Sequence, residues 1–259
     1  MLLGITVVCV AGRTRSALDP VIAFTEVTKS FGSIDALDPI GLTIRKGEFV
    51  SLVGPSGCGK STVLRLGSGL IEPTQGRVSR SSDNVGYIFQ EPTLMPWRTV
   101  EQNVTFLGEL DGMSRQEARR RADEVLSLVG LEEFRSHYPL ALSGGMKMRT
   151  SIARSMLLDP DLFLFDEPFG ALDQISRARL NAELCALFSE RRFAALFVTH
   201  SVDEAVFLAS RLLVMSKRPG RLVAEFEIPY PFPRQPEIRY EPEFAVLAGQ
   251  VAAALADAS

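Results

Sequence analysis

The sequence has no uncharged apolar run that approaches the roughly 18 to 20 residues of a membrane-spanning helix. Its apolar start, residues 1–10, is about half that length. No basic residue precedes this start, and Arg13 and Arg15 follow it, which is the wrong order for a signal peptide. We therefore expect residues 1–20 to form an N-terminal extension, and we expect the chain not to cross a membrane by itself.

Cysteine and excess basic charge are also scarce. The three cysteines, Cys9, Cys58 and Cys185, are too few and too scattered for a disulfide framework and show no metal-ligand spacing, which predicts a reduced, cytosolic protein. Acidic residues outnumber basic ones by 31 to 28, so a broad nucleic-acid-binding surface is not expected. We interpret the arginine run Arg119–Arg121 as the solvated face of a helix.

The overall amino-acid composition is that of an ordinary globular protein. Of the 259 residues, 46% are hydrophobic and 23% are charged, which is typical of one large domain or of a domain with an inserted lobe. Apolar runs at residues 162–165 and 194–198 flank a helical pattern at residues 175–191. Strands that are apolar throughout indicate a parallel sheet covered on both faces. Helical patterns upstream predict an inserted helical lobe over about residues 92–158.

The segment Gly54–Ser61 (GPSGCGKS) fits the phosphate-binding loop pattern at every fixed position, after a predicted strand and at the start of a predicted helix. Its glycines let successive N–H groups point at one anion, and the helix N-terminus adds positive potential. We expect Lys60 to face solvent and to reach the β- and γ-phosphates, and Ser61 to ligate Mg²⁺. Cys58 is interpreted as a small residue that contributes only its backbone N–H, with a redox role as the alternative.

Two adjacent carboxylates, Asp166 and Glu167, directly follow the apolar run Leu162–Phe165. This places them at the carboxyl end of a central strand, where open α/β sheets bind ligands. Asp166 suits a water-mediated contact to Mg²⁺, and Glu167 suits activation or orientation of an attacking water. Structural carboxylates at strand ends are also common, but the phosphate-binding loop in the same chain favours the functional interpretation.

A third motif, Ser143–Gly144–Gly145, opens the predicted helix that ends the lobe. Ser143 is a suitable N-cap, which is a purely structural explanation. Two glycines after a cap weaken a helix. They indicate that another group approaches the backbone closely at this point.

With these motifs the sequence resembles the ATP-binding subunits of ABC transporters, over residues 21–236. The resemblance implies an α/β fold of the P-loop NTPase type, with a mainly parallel sheet, flanking helices and an antiparallel β part. The α-helical subdomain of about residues 92–158 would be inserted in this ABC ATPase domain, and residues 237–259 would form a C-terminal helical tail. ATP and Mg²⁺ are the implied cofactors, and ATP hydrolysis is the implied reaction.

The resemblance also implies roles for individual residues. The catalytic residues would be Glu167, His200 and Gln90. The residues that serve Mg²⁺ would be Ser61, Gln90 and Asp166. The residues that bind ATP, in this subunit or in its partner, would be Phe31, Gly54, Pro55, Ser56, Gly57, Cys58, Gly59, Lys60, Ser61, Thr62, Ser143, Gly144, Gly145 and Asp173. Phe31 would stack on adenine, Ser143–Gly145 belong to the signature loop, and Asp173 belongs to the D-loop.

In this family two subunits meet head to tail, so that the signature loop of one completes the phosphate site of the other. The implied partners are a second ATP-binding subunit, expected to be identical, transmembrane permease subunits and, indirectly, a solute-binding protein, but no nucleic acid. The implied location is the cytoplasmic face of the membrane. Met148, Ser201 and Thr150–Ser151 depart from the family pattern. None of them removes a phosphate, metal or water ligand, so they bear on the turnover rate.

Within the family, residues 89–100, 202–208 and 215–221 resemble the nitrate, sulfonate and taurine importer group. This predicts that hydrolysis is coupled to uptake of a small anion through a separate permease. The alternative is a soluble ABC-type ATPase acting on nucleic acid or the ribosome, but those proteins usually carry paired cassettes or coiled-coil insertions. A third possibility, a nucleotide-binding regulator that does not hydrolyse ATP, is disfavoured by the intact catalytic residues.

The segment Leu94–Trp97 closely follows Gln90, and Pro92 and Pro96 discourage a regular helix there. An apolar surface segment beside a catalytic loop suits the docking of a permease helix. The alternative is that Trp97, the only tryptophan, packs into the helical lobe. The exposure of its side chain distinguishes the two.

Overall fold

The computed structural model describes residues 20–258. In chain order, the strands are β1 (Pro20–Phe31), β2 (Ile34–Arg45), β3 (Phe49–Val53), β4 (Gln75–Arg80), β5 (Val85–Ile88), β6 (Leu162–Asp166), β7 (Ala194–Val198), β8 (Arg211–Met215) and β9 (Leu222–Glu227). The α-helices are α1 (Lys60–Ser68), α2 (Val100–Leu110), α3 (Arg115–Leu128), α4 (Gly144–Met156), α5 (Gln174–Arg191), α6 (Val202–Leu208) and α7 (Pro242–Asp257). Short 3₁₀ turns cover Glu132–Phe134, Pro139–Ala141 and Pro236–Tyr240.

The larger sheet has the strand order β5-β6-β7-β3-β8-β9 and is parallel except for the β8–β9 pair. Every residue of β3, β7 and β8 is buried, which explains why these strands are apolar throughout. Phe165 of β6 lies beside Phe197 of β7, and Leu52 of β3 lies beside Val198. The carboxyl ends of β3, β6 and β7 therefore meet at one edge of the sheet.

Phenylalanines from the strands of this sheet pack against one another. Phe49, Phe165 and Phe197 come from three neighbouring strands, with ring centroids 6.3 Å apart for Phe49–Phe165 and 5.7 Å for Phe165–Phe197. Phe188 of α5 meets Phe49 edge-on at 5.2 Å. Aromatic pairs of this kind add stabilisation beyond their buried area, so these contacts help to hold the three strands and α5 together.

The smaller sheet is antiparallel, in the order β2-β1-β4. The residue types at positions 29–33 favour a turn, but Lys29 and Phe31 instead pair with Leu37 and Ile34 in the β1–β2 hairpin. Only Gly32, in a left-handed conformation with φ 60°, and Ser33 remain as the turn. Pairing across the hairpin outweighs the local turn preference of these residues.

Helix α1 packs closely against the smaller sheet, and Gly67 permits the contact. A Cβ at this position would lie 3.3 Å from Cδ1 of Ile22 and 3.4 Å from Cζ of Phe24. The helix ends at Ser68, because Gly69 adopts a left-handed C-cap with φ 78°.

Helices α2, α3 and α4 lie between β5 and β6, within the residues predicted for the helical lobe. Thr99, Ser114 and Ser143 cap them, each accepting a hydrogen bond from the backbone N–H three residues later. Arg120 and Arg121 pair with Glu117 at 2.7 and 2.8 Å on an accessible face of α3. The arginine run is thus a solvated helix face, as predicted.

The predicted α/β class, with its parallel sheet, antiparallel part and inserted helices, is confirmed. Among residues 20–258 we found no helix with the length and apolar character that membrane spanning requires. The predicted N-terminal extension falls, apart from Pro20, outside the described residues. Helix α7 lies within the predicted C-terminal tail.

Candidate functional site

The loop between β3 and α1 turns sharply through glycines in left-handed conformations. Gly57 has φ 75° and Gly59 has φ 108°, values that cost a residue with a Cβ free energy. Gly59 is the N-cap of α1, which has no side-chain cap and no acidic residue in its first turn. The N–H groups at this helix start are therefore directed at whatever occupies the loop, and they favour an anion.

The β8–β9 hairpin supports this loop from behind. A Cβ on Gly220 would lie only 2.1 Å from the carbonyl oxygen of Cys58. On Gly54 it would lie 2.8 Å from Sγ of Cys58 and 2.9 Å from the carbonyl oxygen of Met215. Such distances exclude any side chain, so the loop is held against the hairpin backbone. Gly220 therefore supports the loop. Sequence analysis did not predict this role, because it considered residues 215–221 only for their resemblance to an importer group.

Lys60 is buried, with 7% of its surface exposed. Its ammonium donates hydrogen bonds to the carbonyl oxygens of Gly54 (2.8 Å) and Pro55 (3.0 Å). The expectation that Lys60 faces solvent was therefore wrong. A charge buried to this extent needs hydrogen-bond partners, and the loop that curls around the side chain supplies them.

Cys58 is also buried, and this burial raises the pKa of its thiol. A protonated thiol is a poor nucleophile, which supports its interpretation as a small packing residue. Ser56 and Gly57 lie exposed at the tip of the loop, and Pro55 and Thr62 are partly buried on either side of it.

Ser61 and Asp166 meet across the sheet edge. The Ser61 hydroxyl donates to Oδ1 of Asp166 at 2.9 Å, and the Tyr87 hydroxyl donates to Oδ2 at 3.1 Å. Burial and the neighbouring Asp166 raise the pKa of Tyr87, so that it remains a donor. Sequence reasoning did not identify Tyr87, because the pairing of β5 with β6 brings it to the site.

Glu167 and His200 are also brought together. Nδ1 of His200 lies 3.1 Å from Oε2 of Glu167. When Nδ1 donates to this carboxylate oxygen, Nε2 is left for a second partner. Glu167 has φ 47°, an uncommon conformation for a residue with a Cβ and one that is concentrated at functional sites. Gln90 lies close by, since a Cβ on Gly170 would be 3.4 Å from Nε2 of Gln90.

The three motif residues of the lobe occupy the start of α4. Ser143 caps the helix by accepting from the N–H of Met146 at 3.3 Å. Ser143 and Gly144 are exposed, whereas Gly145 is buried. A Cβ on Gly144 would lie 3.0 Å from Cδ2 of Leu172, so the helix start adjoins the loop that follows Glu167.

Asp173 and Phe31 lie at the periphery of this arrangement. Asp173 caps α5, accepting from the N–H groups of Ile175 (3.1 Å) and Ser176 (3.0 Å), and its hydrogen bond with the Ser176 side chain lowers its pKa. The Phe31 ring is 48% exposed, with the Lys29 ammonium 5.1 Å from its centroid. An exposed ring of this kind is what stacking on a planar base requires.

The residues that depart from the resemblance have local structural roles. Met148 lies in the core, and the buried Thr150 hydroxyl donates to the carbonyl oxygen of Met146 at 2.8 Å. Ser151 is likewise buried. Ser201 caps α6 by accepting from the N–H of Glu204 at 3.3 Å. None of these contacts involves the phosphate loop or the carboxylates.

A glycine-rich anion loop, an adjoining Ser–Asp pair and a Glu–His pair thus share one sheet edge. The sequence model of the ABC transporter family matches residues 37–170. The chain belongs to the ABC transporter family. It is an ABC-type ATPase, and the family predicted from the sequence motifs is confirmed.

Relatives and solved structures of this family align with most of this chain. A putative ATP-binding protein of Brucella abortus is 45% identical over 241 residues, 90% of this chain and 93% of that protein. The aliphatic sulfonates import ATP-binding protein SsuB of Bacillus cereus is 39% identical over 81% of this chain and 88% of its own length. The dimeric structure of MJ0796, a bacterial ABC transporter cassette, is 32% identical and superposes with a TM-score of 0.71, covering 81% of this chain and 99% of that one.

Proposed function

We propose that this protein is the ATP-hydrolysing subunit of an importer for a small anion of the sulfonate, nitrate or taurine class. The observation that carries the proposal is the 39% identity to a sulfonate import subunit over 81% of the chain. It would work as a head-to-tail homodimer with a separate permease that receives solute from a binding protein, on the cytoplasmic face of the membrane. The nucleic-acid alternative has no comparable support.

The phosphates of ATP would bind in the glycine-rich loop. The uncapped N-terminus of α1 offers its N–H groups, and Lys60 would exchange its carbonyl partners in the loop for phosphate oxygens. Phe31 would stack on the adenine. The phosphates would thus be held by backbone N–H groups and Lys60, and the base by an exposed aromatic ring, all from one chain.

Ser61 and Asp166 fit a magnesium ion, because hydroxyl and carboxylate oxygens are the donors that Mg²⁺ prefers. Their hydrogen bond of 2.9 Å shows that the two oxygens converge. Within residues 20–258 no cluster of three or more His, Cys, Asp or Glu side chains could hold a metal ion, so phosphate and water oxygens would complete the coordination. When bound, Mg²⁺ supplies charge neutralisation on the phosphates.

Glu167 would orient and activate the attacking water, with His200 and Gln90 beside it. His200 holds the carboxylate through Nδ1, and its Nε2 would contact the γ-phosphate. The N-terminus of α4 would meet the ATP of the partner subunit, which suits the exposed backbone of Ser143 and Gly144.

The permease would dock on the segment around Trp97. This side chain is 73% exposed, so the alternative that it packs into the helical lobe was wrong. Arg154 of α4 donates to the carbonyl oxygens of Pro92 (3.1 Å) and Thr93 (3.0 Å). The segment that contains Gln90 and Trp97 is thereby tied to the signature helix.

The catalytic assignment is tested with Glu167→Gln. Loss of a positioned acid–base group typically costs about 10² to 10⁴ in rate. We expect ATP binding to persist, hydrolysis to fall by that factor, and an ATP-bound dimer to accumulate in light scattering. Near-normal turnover would transfer the catalytic role to another residue.

The transport assignment is tested by uptake of labelled alkanesulfonate, taurine and nitrate in cells that lack the gene. We expect uptake of one of these anions to be lost, and to return with the wild-type gene but not with Glu167→Gln. Unchanged uptake of all three would contradict the proposed solute class.

A further inference from the structure

The loop after Glu167 and the loop that carries His200 are joined at the catalytic carboxylate. The N–H of Glu167 donates to the carbonyl oxygen of Val198 at 3.0 Å, and the N–H of Gly170 donates to that of Glu167 at 3.0 Å. Nδ1 of His200 closes the contact at 3.1 Å from Oε2 of Glu167. On the side of the catalytic carboxylate, the two loops are therefore in direct contact.

On their far side, a bridge of side chains joins the same two loops, with Arg177 partly exposed and Glu204 and Thr199 buried. Nη2 of Arg177 donates to the carbonyl oxygens of Leu172 (2.9 Å) and Gly170 (3.4 Å), in the loop after Glu167. Its Nε lies 3.7 Å from Oε1 of Glu204. Oε2 of Glu204 accepts the Thr199 hydroxyl at 2.5 Å, and Thr199 precedes His200. The contacts form a ring that begins and ends at Glu167.

Burial makes the charge in this bridge costly. Glu204 is 5% exposed and Thr199 is 2% exposed. A carboxylate removed from water to this extent requires partners. Arg177 and Thr199 connect it to the two loops, and Asn181 of α5 is a third neighbour. The structural alternative is that Glu204 only supports the first turn of α6, where an acidic residue is favourable. That role does not require the Thr199 hydroxyl or Arg177.

Some polar atoms in and beside the bridge have no hydrogen-bond partner. Nε of Arg177 and Oδ1 of Asn181 are buried without a hydrogen-bond partner, and Nδ2 of Asn181 is 3.5 Å from Oε1 of Glu204. Ordinary hydrogen bonds of this type are about 2.7 to 3.2 Å long. A movement of α5 toward α6 by about half an ångström would therefore convert these loose contacts into tight ones.

We propose, on the catalytic roles already proposed for Glu167 and His200, that Arg177 and Glu204 are positioning residues. They transmit the position of the loop Gly170–Asp173, through Thr199, to His200. Glu204 holds Thr199 and is itself held by Arg177, which keeps His200 against Glu167. Movement of the loop Gly170–Asp173 together with the start of α5 would tighten or loosen the contact between Arg177 and Glu204. Neither residue touches the nucleotide in this role.

The test compares Glu204→Gln and Thr199→Val with the control Glu48→Gln. Glu48 forms a buried ion pair with Arg211 (2.7 Å) beside the amino end of β3, away from the site. The measurements are the melting temperature, and kcat and KM for Mg·ATP. Because small misplacement of positioned groups can cost up to about 100-fold, we expect kcat to fall about 10-fold in both bridge variants. KM should stay within about twofold, Glu48→Gln should retain kcat, and Thr199→Ser should restore it.

The double variant Arg177→Gln/Glu204→Gln should lose no more kcat than the worse single variant, because both substitutions break one bridge. Normal kcat in the bridge variants, additive losses, or no rescue by Thr199→Ser would overturn the proposal. So would insolubility of both bridge variants while Glu48→Gln is soluble, since this marks a structural role. If Glu167→Gln and His200→Ala also keep full activity, the catalytic assignment itself fails, which is a separate result.

Discussion

Two helix N-termini in this protein are candidates for phosphate, and they are built differently. The start of α1 has no side-chain cap, and its first residue, Lys60, is buried. Gly54 of the preceding loop and Gly220 of the β8–β9 hairpin leave no room for a Cβ. The start of α4 is capped by Ser143, and both Ser143 and Gly144 are exposed. One start is enclosed within its own chain, and the other is open.

This difference is what a site shared between two subunits requires. The enclosed start can bind an anion with groups from one chain, because its N–H groups, lysine and hydroxyl converge there. The open start has satisfied one of its own N–H groups with Ser143, and its first residue, Gly144, is exposed to solvent. We therefore expect substitutions at α1 to affect nucleotide binding, and substitutions at α4 to affect assembly and turnover.

The largest effect is expected at the enclosed start, from Lys60→Ala. The variant loses charge-assisted hydrogen bonds to phosphate of about 1.5 to 3 kcal/mol each, so the affinity for ATP should fall by about 100-fold. Isothermal titration measures this loss, and Lys46→Ala, an exposed lysine in the turn before β3, is the control. Since Lys60 is buried and has two backbone hydrogen-bond partners, the melting temperature of the variant should also fall. Wild-type affinity would refute the phosphate role of the loop.

Gly220→Ala tests the packing behind the same start. The new methyl would meet the Cys58 carbonyl oxygen at 2.1 Å, and overpacking of this kind typically costs about 1 to 3 kcal/mol. We expect a lower free energy of unfolding in urea and weaker ATP binding. Gly41→Ala is the matched control, since no atom lies within 4 Å of its Cβ position. Equal stability of the two variants would mean that the hairpin does not hold the loop.

Ser143→Ala tests the open start. Loss of an N-cap costs about 1 kcal/mol, and Ser114→Ala, which removes an equivalent cap bond from α3, should cost the same. Only Ser143→Ala should reduce ATP-driven dimerisation and hydrolysis, while ATP binding by the monomer stays normal. Analytical ultracentrifugation with Mg·ATP measures the first effect. Identical ATPase rates for the two variants would leave α4 with no part in the site.

The smallest effect on the isolated protein is expected from Trp97→Ala. A side chain that is 73% exposed contributes little to the core, so neither the melting temperature nor the basal ATPase rate should change. Stimulation by the solute-loaded permease should be lost, whereas Leu110→Ala, at 69% exposure in the same lobe, should retain it. Normal stimulation of Trp97→Ala would exclude this residue from permease docking.

Much of the site could be predicted because its parts are contiguous in the chain. The Gly54–Ser61 loop and the Asp166–Glu167 pair each follow a run of apolar residues, and such patterns determine where a strand ends and a helix begins. The same local patterns predicted β7 at Ala194–Val198 and the helix after Asp173. The position of the start of α1 could thus be predicted, but the burial of its Lys60 side chain could not.

Only the tertiary structure decided the contacts between distant segments. Tyr87 reaches Asp166 across 79 positions of the sequence and Ser61 reaches it across 105. The burial of Lys60, the support of Cys58 by Gly220 and the bridge from Arg177 to Glu204 likewise depend on which strands and loops become neighbours. Local sequence determines backbone conformation through steric preferences and hydrogen bonds between near residues. Strand order and register determine which side chains meet, and no single segment of this sequence contains that information.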